Sequence, residues 1–205
     1  MSFYPEFDPL NFNELIGAFQ SPPFDGDDYA NIYYSEVAYL IVSKGGQGGM
    51  DFLRAHLESD DPKRLRAVLR ALAPVLLNEP ALKLKLISLL RSEHPLLVME
   101  AIDSLAWQGD RSILEVVVAL HKHSSAYVRG AVLRYVRALF PQRALPLLIE
   151  GMLDEHYIVR EVAADELGEL GDPSALPHLQ ALLADESAEV RQAAQLAIEG
   201  LPASS

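Results

Sequence analysis

The chain has no cysteine in 205 residues, which excludes disulfides, thiolate zinc ligation and a thiol nucleophile together. It has no run of 18 apolar residues to read as a membrane span. Its first residues, MSFYPEFDPLNF, show neither the basic start nor the apolar stretch of a secretory signal, so the expected location is cytoplasmic, with no membrane partner. Basic residues are scarce at both ends. Residues 1–59 carry 2 basic and 9 acidic side chains, 60–153 carry 13 and 9, and 154–205 carry 2 and 11, which gives −7, +4 and −9 of the net −12. Acidic flanks repel the phosphates that a basic centre attracts, which argues against a nucleic-acid partner and suits one with patterned charge.

Catalytic signatures are missing too. There is no GxSxG, no HExxH and no phosphate-gripping loop. GGQGG, the only glycine-rich segment, lacks the lysine and hydroxyl residue of such a loop and reads as a flexible connection after a helix. His121 and His123 stand at i and i+2, which point to different faces of a helix. His94 and His156 share a repeat column two repeats apart, too far to share an ion at about 10 Å per helix layer. The expectation is therefore a chain with no catalytic residue, no metal site and no cofactor.

What the sequence does have is a repeat. Half its residues are apolar, enough for a sizeable core, and the phrase VREVAA at Val159 returns 31 residues later as VRQAAQ at Val190. Stepping back by the same interval reaches Val128 and Arg129. His123, Asp154 and Asp185 align in the loop before this phrase, Gly109 and Gly171 align with Phe140, and Pro146 aligns with Pro177. Toward the amino end the period weakens, with Leu97 and Val98 in place of Val-Arg. Within one copy Val159, Ala163, Leu167 and Leu170 follow a helical spacing, as do Leu176, Leu179, Leu182 and Leu183. Each copy is two amphipathic helices. Gly171 ends the first, Asp172 caps the next and Pro173 opens it, while the alanines at 163, 164, 193 and 194 let helices approach closely.

The stretches VREVAADELGELGDPSALPHLQALLAD and ESAEVRQAAQLAIEGL resemble bacterial HEAT-like repeats of the kind found in phycobilisome lyases. The resemblance reaches back with diminishing likeness to about Asp60. It implies an all-α fold, a right-handed α-solenoid (an armadillo/HEAT-like superhelix) of about five to six helical hairpins. It also implies a ladder in which an Asp before the VR helix and an Arg within it join successive repeats. Asp154, Arg160, Asp185 and Arg191 take those places, with Arg129 one repeat earlier. His123 replaces the Asp in one repeat and Val98 the Arg in another, so the ladder should be incomplete there.

The helices pair as 49–58 with 62–77, 80–91 with 95–107, 111–122 with 125–139, 142–153 with 156–170 and 174–184 with 187–200. A sixth hairpin joins NFNELIGAF to DDYANIYYSEVAYLIVSK across SPPFDGD. The expected organisation is an aromatic-rich arm and capping hairpin over residues 1–59, the repeat array over 60–201 and a short disordered tail over 202–205. Ten of sixteen aromatics fall within the first 39 residues, a payload for a cap or, alternatively, for a dimerising arm.

The resemblance places the VR-type helices on the inner, concave side, where the variable columns run Met99, Gly130, Glu161, Gln192; then Asp103, Arg134, Asp165, Leu196; then Ala106, Arg137, Gly168, Glu199. Trp107 aligns with Glu169, a position that accepts charge, so the sole tryptophan is expected to be partly exposed. With Arg70 it completes a candidate partner-binding set: Trp107, Met99, Asp103, Arg70, Arg134, Arg137, Glu161 and Asp165. Three functions compete. The leading one is a non-enzymatic scaffold holding a protein or peptide on the concave face. A chromophore-handling role follows from the resemblance alone, and without cysteine such a chain could act only as a chaperone for a bilin and its acceptor. Nucleic-acid binding is the third, and the acidic flanks oppose it.

Overall fold

The structure, a computed structural model, describes residues 5–22, 30–76 and 79–202. Phe3, Tyr4, Phe24, Tyr29, most of the SPPFDGD loop and residues 203–205 lie outside them. The described residues form helices and no strands: α1 (Phe12–Gln20), α2 (Ala30–Arg54), α3 (Pro62–Leu72), α4 (Pro80–Leu89), α5 (Pro95–Trp107), α6 (Leu114–Val118), α7 (Ala126–Leu139), α8 (Pro141–Gly151), α9 (Tyr157–Leu170), α10 (Leu176–Leu182) and α11 (Ala188–Gly200). Short 3-10 turns extend α6 and precede α10. The chain is an all-α solenoid whose helices follow the hairpin map read from the period, and it divides into two compact units, Met1–Gln108 and Gly109–Ser205.

In the first unit α1 starts from a capping box: the Asn11 side chain accepts from the Glu14 N–H while the Glu14 carboxylate accepts from the Asn11 N–H. It packs on α2, which bends at Gly46, where φ is +52°. A Cβ on Gly49 would collide with the Ile41 carbonyl oxygen, so the two arms of α2 touch backbone to backbone. GGQGG is thus a tight corner between two helical arms rather than a flexible connection; the glycines serve close approach, a need the composition alone does not reveal.

Four of the described aromatics of this region turn inward. Phe7, Phe19, Tyr33 and Tyr34 are buried, with Phe7 edge-on to Tyr33 at 5.2 Å and Phe19 edge-on to Tyr34 at 5.5 Å. Arg64 lies 5.2 Å over the Tyr34 ring and donates to its hydroxyl, tying α3 to this cluster. Lys44 donates to the carbonyls of Asp8 and Leu10 and pins the leading segment to α2. Beyond α3, which opens on Asp61 as N-cap with Pro62 behind it, α4 pairs with α5 and α5 packs on α3.

In the second unit α7, α9 and α11 pack in a row, with α8 and α10 behind. Ala163, Ala164 and Leu167 are fully buried, each such leucine contributing roughly 1.5–3 kcal/mol before ordering costs. A Cβ on Gly168 would lie 2.9 Å from that of Ala197, so α9 and α11 are in close contact. On α11, Gln195 and Glu199 are exposed where Ala164 and Gly168 stand one repeat earlier, which gives the outermost described helix the polar face of a terminal repeat.

Two Arg–Asp pairs join successive hairpins of the second unit. Arg129 bonds Asp154 through both arms of its guanidinium, at 2.7 and 2.6 Å, and Arg160 bonds Asp185 at 2.7 and 2.9 Å. In each arginine Nη1 donates to two carbonyls of the turn before its own helix: His123 and Ser124 for Arg129, Asp154 and Glu155 for Arg160. Arg191 makes the same carbonyl bonds, to Asp185 and Glu186, with no carboxylate paired to it among the described residues. His123 keeps half of the aspartate's work, since its Nδ1 accepts from the Ser125 N–H at 3.0 Å as Asp154 does from His156 and Asp185 from Ser187. One repeat earlier the Ser92 hydroxyl accepts from the His94 N–H in the same way.

Candidate functional site

The face of the second helices carries the variable columns, and each unit presents its own part. In the first unit Arg66 and Arg70 stand one turn apart on α3. Trp107 closes α5 with 68% of its surface exposed, while Met99 and Asp103, on the same helix, are half-buried. Beneath them is Glu100, a buried carboxylate bonded to the Nε of Arg66 at 3.3 Å. Burial pushes the Glu100 carboxyl up, the Arg66 and Arg70 charges pull it down and Asp103 raises it again, with a net rise.

A hollow of about 680 Å³ opens beside these arginines, lined by Ile32, Glu36 and Tyr39 of α2 and by Arg66, Arg70 and Ala71 of α3. Ile32 and Tyr39 are exposed there, Tyr39 to 66%.

In the second unit Arg137 is ion-paired with Glu166, a buried carboxylate on α9, and is therefore engaged within the scaffold. Arg134, half-buried, is not free either. Glu161, Asp165 and Glu169 follow at four-residue steps along one face of α9. Burial raises the Glu161 carboxyl, helped by the charges of Asp165 and Glu189; burial also raises Asp165, helped by Glu166 and Glu169. A smaller hollow of about 430 Å³ is lined by Asp165, Gly168, Glu169 and the exposed Leu196.

Of the eight residues expected to bind a partner, Arg70, Met99, Asp103 and Trp107 lie in the first unit and Arg134, Arg137, Glu161 and Asp165 in the second. Sequence reasoning missed Ile32, Tyr39 and Arg66, because the period fades before α2 and α3. It also missed Glu100 and Glu166, buried acids that alternate with apolar residues and so look like core positions.

No group of three histidines, aspartates or glutamates that could hold a metal occurs among the described residues, and none of their helices is long and apolar enough to cross a membrane. Stacked hairpins joined by Arg–Asp rungs define a repeat scaffold of the HEAT/armadillo class. Residues 113–199 match the family of HEAT repeats.

No curated protein matches the chain in sequence. Solved structures do resemble it. An engineered protein shares 22% identity with a TM-score of 0.58, covering 92% of this chain and 98% of its own. A designed armadillo repeat protein in complex with the peptide (KR)4 shares 19% identity with a TM-score of 0.54 over 94% of this chain and 100% of its own. The complex of CpcE and CpcF of phycocyanin lyase from Nostoc sp. PCC7120 gives 18% identity and a TM-score of 0.54 over 93% of this chain and 82% of that one. At these identities the likeness is one of fold.

Proposed function

We propose that the chain is a non-enzymatic scaffold that binds a protein or peptide on the face of its second helices. The observation that carries this reading is the pair of exposed aromatics on second helices of the first unit, Tyr39 and Trp107, each about two-thirds open to solvent. Large aromatics left exposed on a protein surface are common anchors of a protein interface. Two of the similar structures are complexes, one with a basic peptide and one between two lyase chains, and they support the same use of the fold.

The test is affinity capture from the source organism's lysate by three forms: wild type, the double variant Tyr39→Ala with Trp107→Ala, and Leu84→Ala, which alters an exposed leucine on a first helix. Mass spectrometry and visible absorption are read on each eluate. A protein retained by wild type and Leu84→Ala and lost by the double variant supports the scaffold. A coloured eluate favours the chromophore-handling alternative, and identical eluates from all three overturn the assignment of the face.

A further inference from the structure

Resting on the scaffold reading, we infer that the hollow between α2 and α3 of the first unit receives an acidic peptide, whose carboxylates meet Arg66 and Arg70 while a neighbouring apolar side chain lies on Ile32 and Tyr39. Both guanidiniums line this hollow. Arg66 is held rigid: its side chain is only 15% exposed and its Nε is fixed by Glu100, yet its two terminal nitrogens make no bond among the described residues. Arg70, one turn further on, is exposed and makes no hydrogen bond or ion pair there. Glu100 is hydrogen-bonded to Arg66 alone and acts on Arg70 only through its charge. Two guanidinium forks on one helix face, one of them preset, offer paired N–H donors to planar carboxylates.

The apolar part of the site sits opposite. Ile32 and Tyr39 are seven residues apart on α2, hence on the same side of the helix, and both stay exposed. The remaining acids of the lining limit what fits. Glu36 already has a partner of its own, and Asp8 is exposed. Together with the −7 of residues 1–59 they repel a dense polyanion such as a nucleic acid, whereas separate carboxylates can each approach a guanidinium. An acidic, leucine-bearing peptide segment satisfies both halves.

The probe is a short labelled peptide of glutamate and leucine with blocked ends, compared by fluorescence anisotropy at low salt with its glutamine-leucine and lysine-leucine analogues. The glutamate peptide should bind wild type roughly tenfold or more tightly than either analogue, in keeping with charge-assisted bonding. Its affinity should fall as salt is added. Arg70→Gln, which removes the charge without placing a new acid near Glu100, should weaken it by a similar factor, and so should Tyr39→Ala. Equal binding of the glutamine analogue, preference for the lysine analogue, or an unchanged affinity in Arg70→Gln overturns the inference. Displacement of the glutamate peptide by low concentrations of inorganic triphosphate, with the triphosphate held more tightly, also overturns it in favour of a phosphate site. A protein captured by wild type, lost by the Tyr39/Trp107 double variant and still held by Arg70→Gln leaves the scaffold reading standing while removing this one.

Discussion

Arg160 and Asp185, 25 residues apart, meet through two parallel bonds of 2.7 and 2.9 Å, and both side chains are about nine-tenths buried. Because Nη1 of Arg160 is already spent on two backbone carbonyls, the arginine arrives at its partner preset. The rung stitches one hairpin to the next. Removing one member strands a buried charge, whereas removing both does not.

Asp185→Asn should therefore cost about 2–3 kcal/mol, moderated by the surviving carbonyl bonds and by Glu186 at 3.3 Å. The double replacement Arg160→Leu with Asp185→Leu should cost less than the sum of the two single leucine variants. Urea unfolding of wild type and these four variants measures both.

Stability should peak in mildly acid solution. Glu161, Asp165 and Glu100 ionise less readily in the folded chain than in the unfolded one, so between neutrality and about pH 4 the folded state holds more protons and stability rises as pH falls. The rung carboxylates have the opposite sign. Burial pushes Asp154 up, but its bonds from Arg129 and His156 outweigh that; bonding from Arg160 lowers Asp185 against burial. Below the ordinary carboxylate range the unfolded chain takes up protons first and stability falls. Urea midpoints across pH should show both limbs, with Glu161→Gln flattening the neutral one and Asp185→Asn the acid one.

Gly49→Ala should destabilise the first unit by about 3 kcal/mol, since its methyl would collide with the backbone of Ile41, which cannot turn aside as a side chain would. Ala163→Glu in the second unit should be at least as severe, about 3 kcal/mol or more, for it puts a carboxylate into a fully buried contact. Thermal unfolding checks both. Loss of less than about 1 kcal/mol in either variant would mean that these contacts are looser than drawn.

Trp107→Ala should move the melting temperature by no more than about 2 °C, because a side chain 68% exposed supplies little to the core. A fall of many degrees would make Trp107 a packing residue and remove the main anchor from the proposed face.

Much of this architecture was legible in the sequence because the stacking contacts repeat. Val159, Ala163 and Leu167 recur with the period, and the Arg–Asp rungs stand at constant spacing, so the hairpins from residue 80 onward lie within a few residues of their expected bounds. Other features do not repeat in residue identity. Ser92, His123, Asp154 and Asp185 all accept the N–H two residues on, a role set by a lone pair at the right distance and filled by hydroxyl, imidazole or carboxylate. Ile32 and Tyr39 were hidden because the period fades before α2, and only the packing of α2 on α3 shows which of its residues turn outward.

The most direct test of the proposed face is site-specific photo-crosslinking in the native lysate, with the reactive amino acid placed at positions 39, 107, 84 and 116 in separate full-length proteins. Positions 39 and 107 lie on second helices, and 84 and 116 are exposed on first helices. The account predicts one shared partner crosslinked from 39 and 107 and absent from 84 and 116. Crosslinking of a shared partner only from 84 and 116 would contradict it and move the binding surface to the other side of the hairpins.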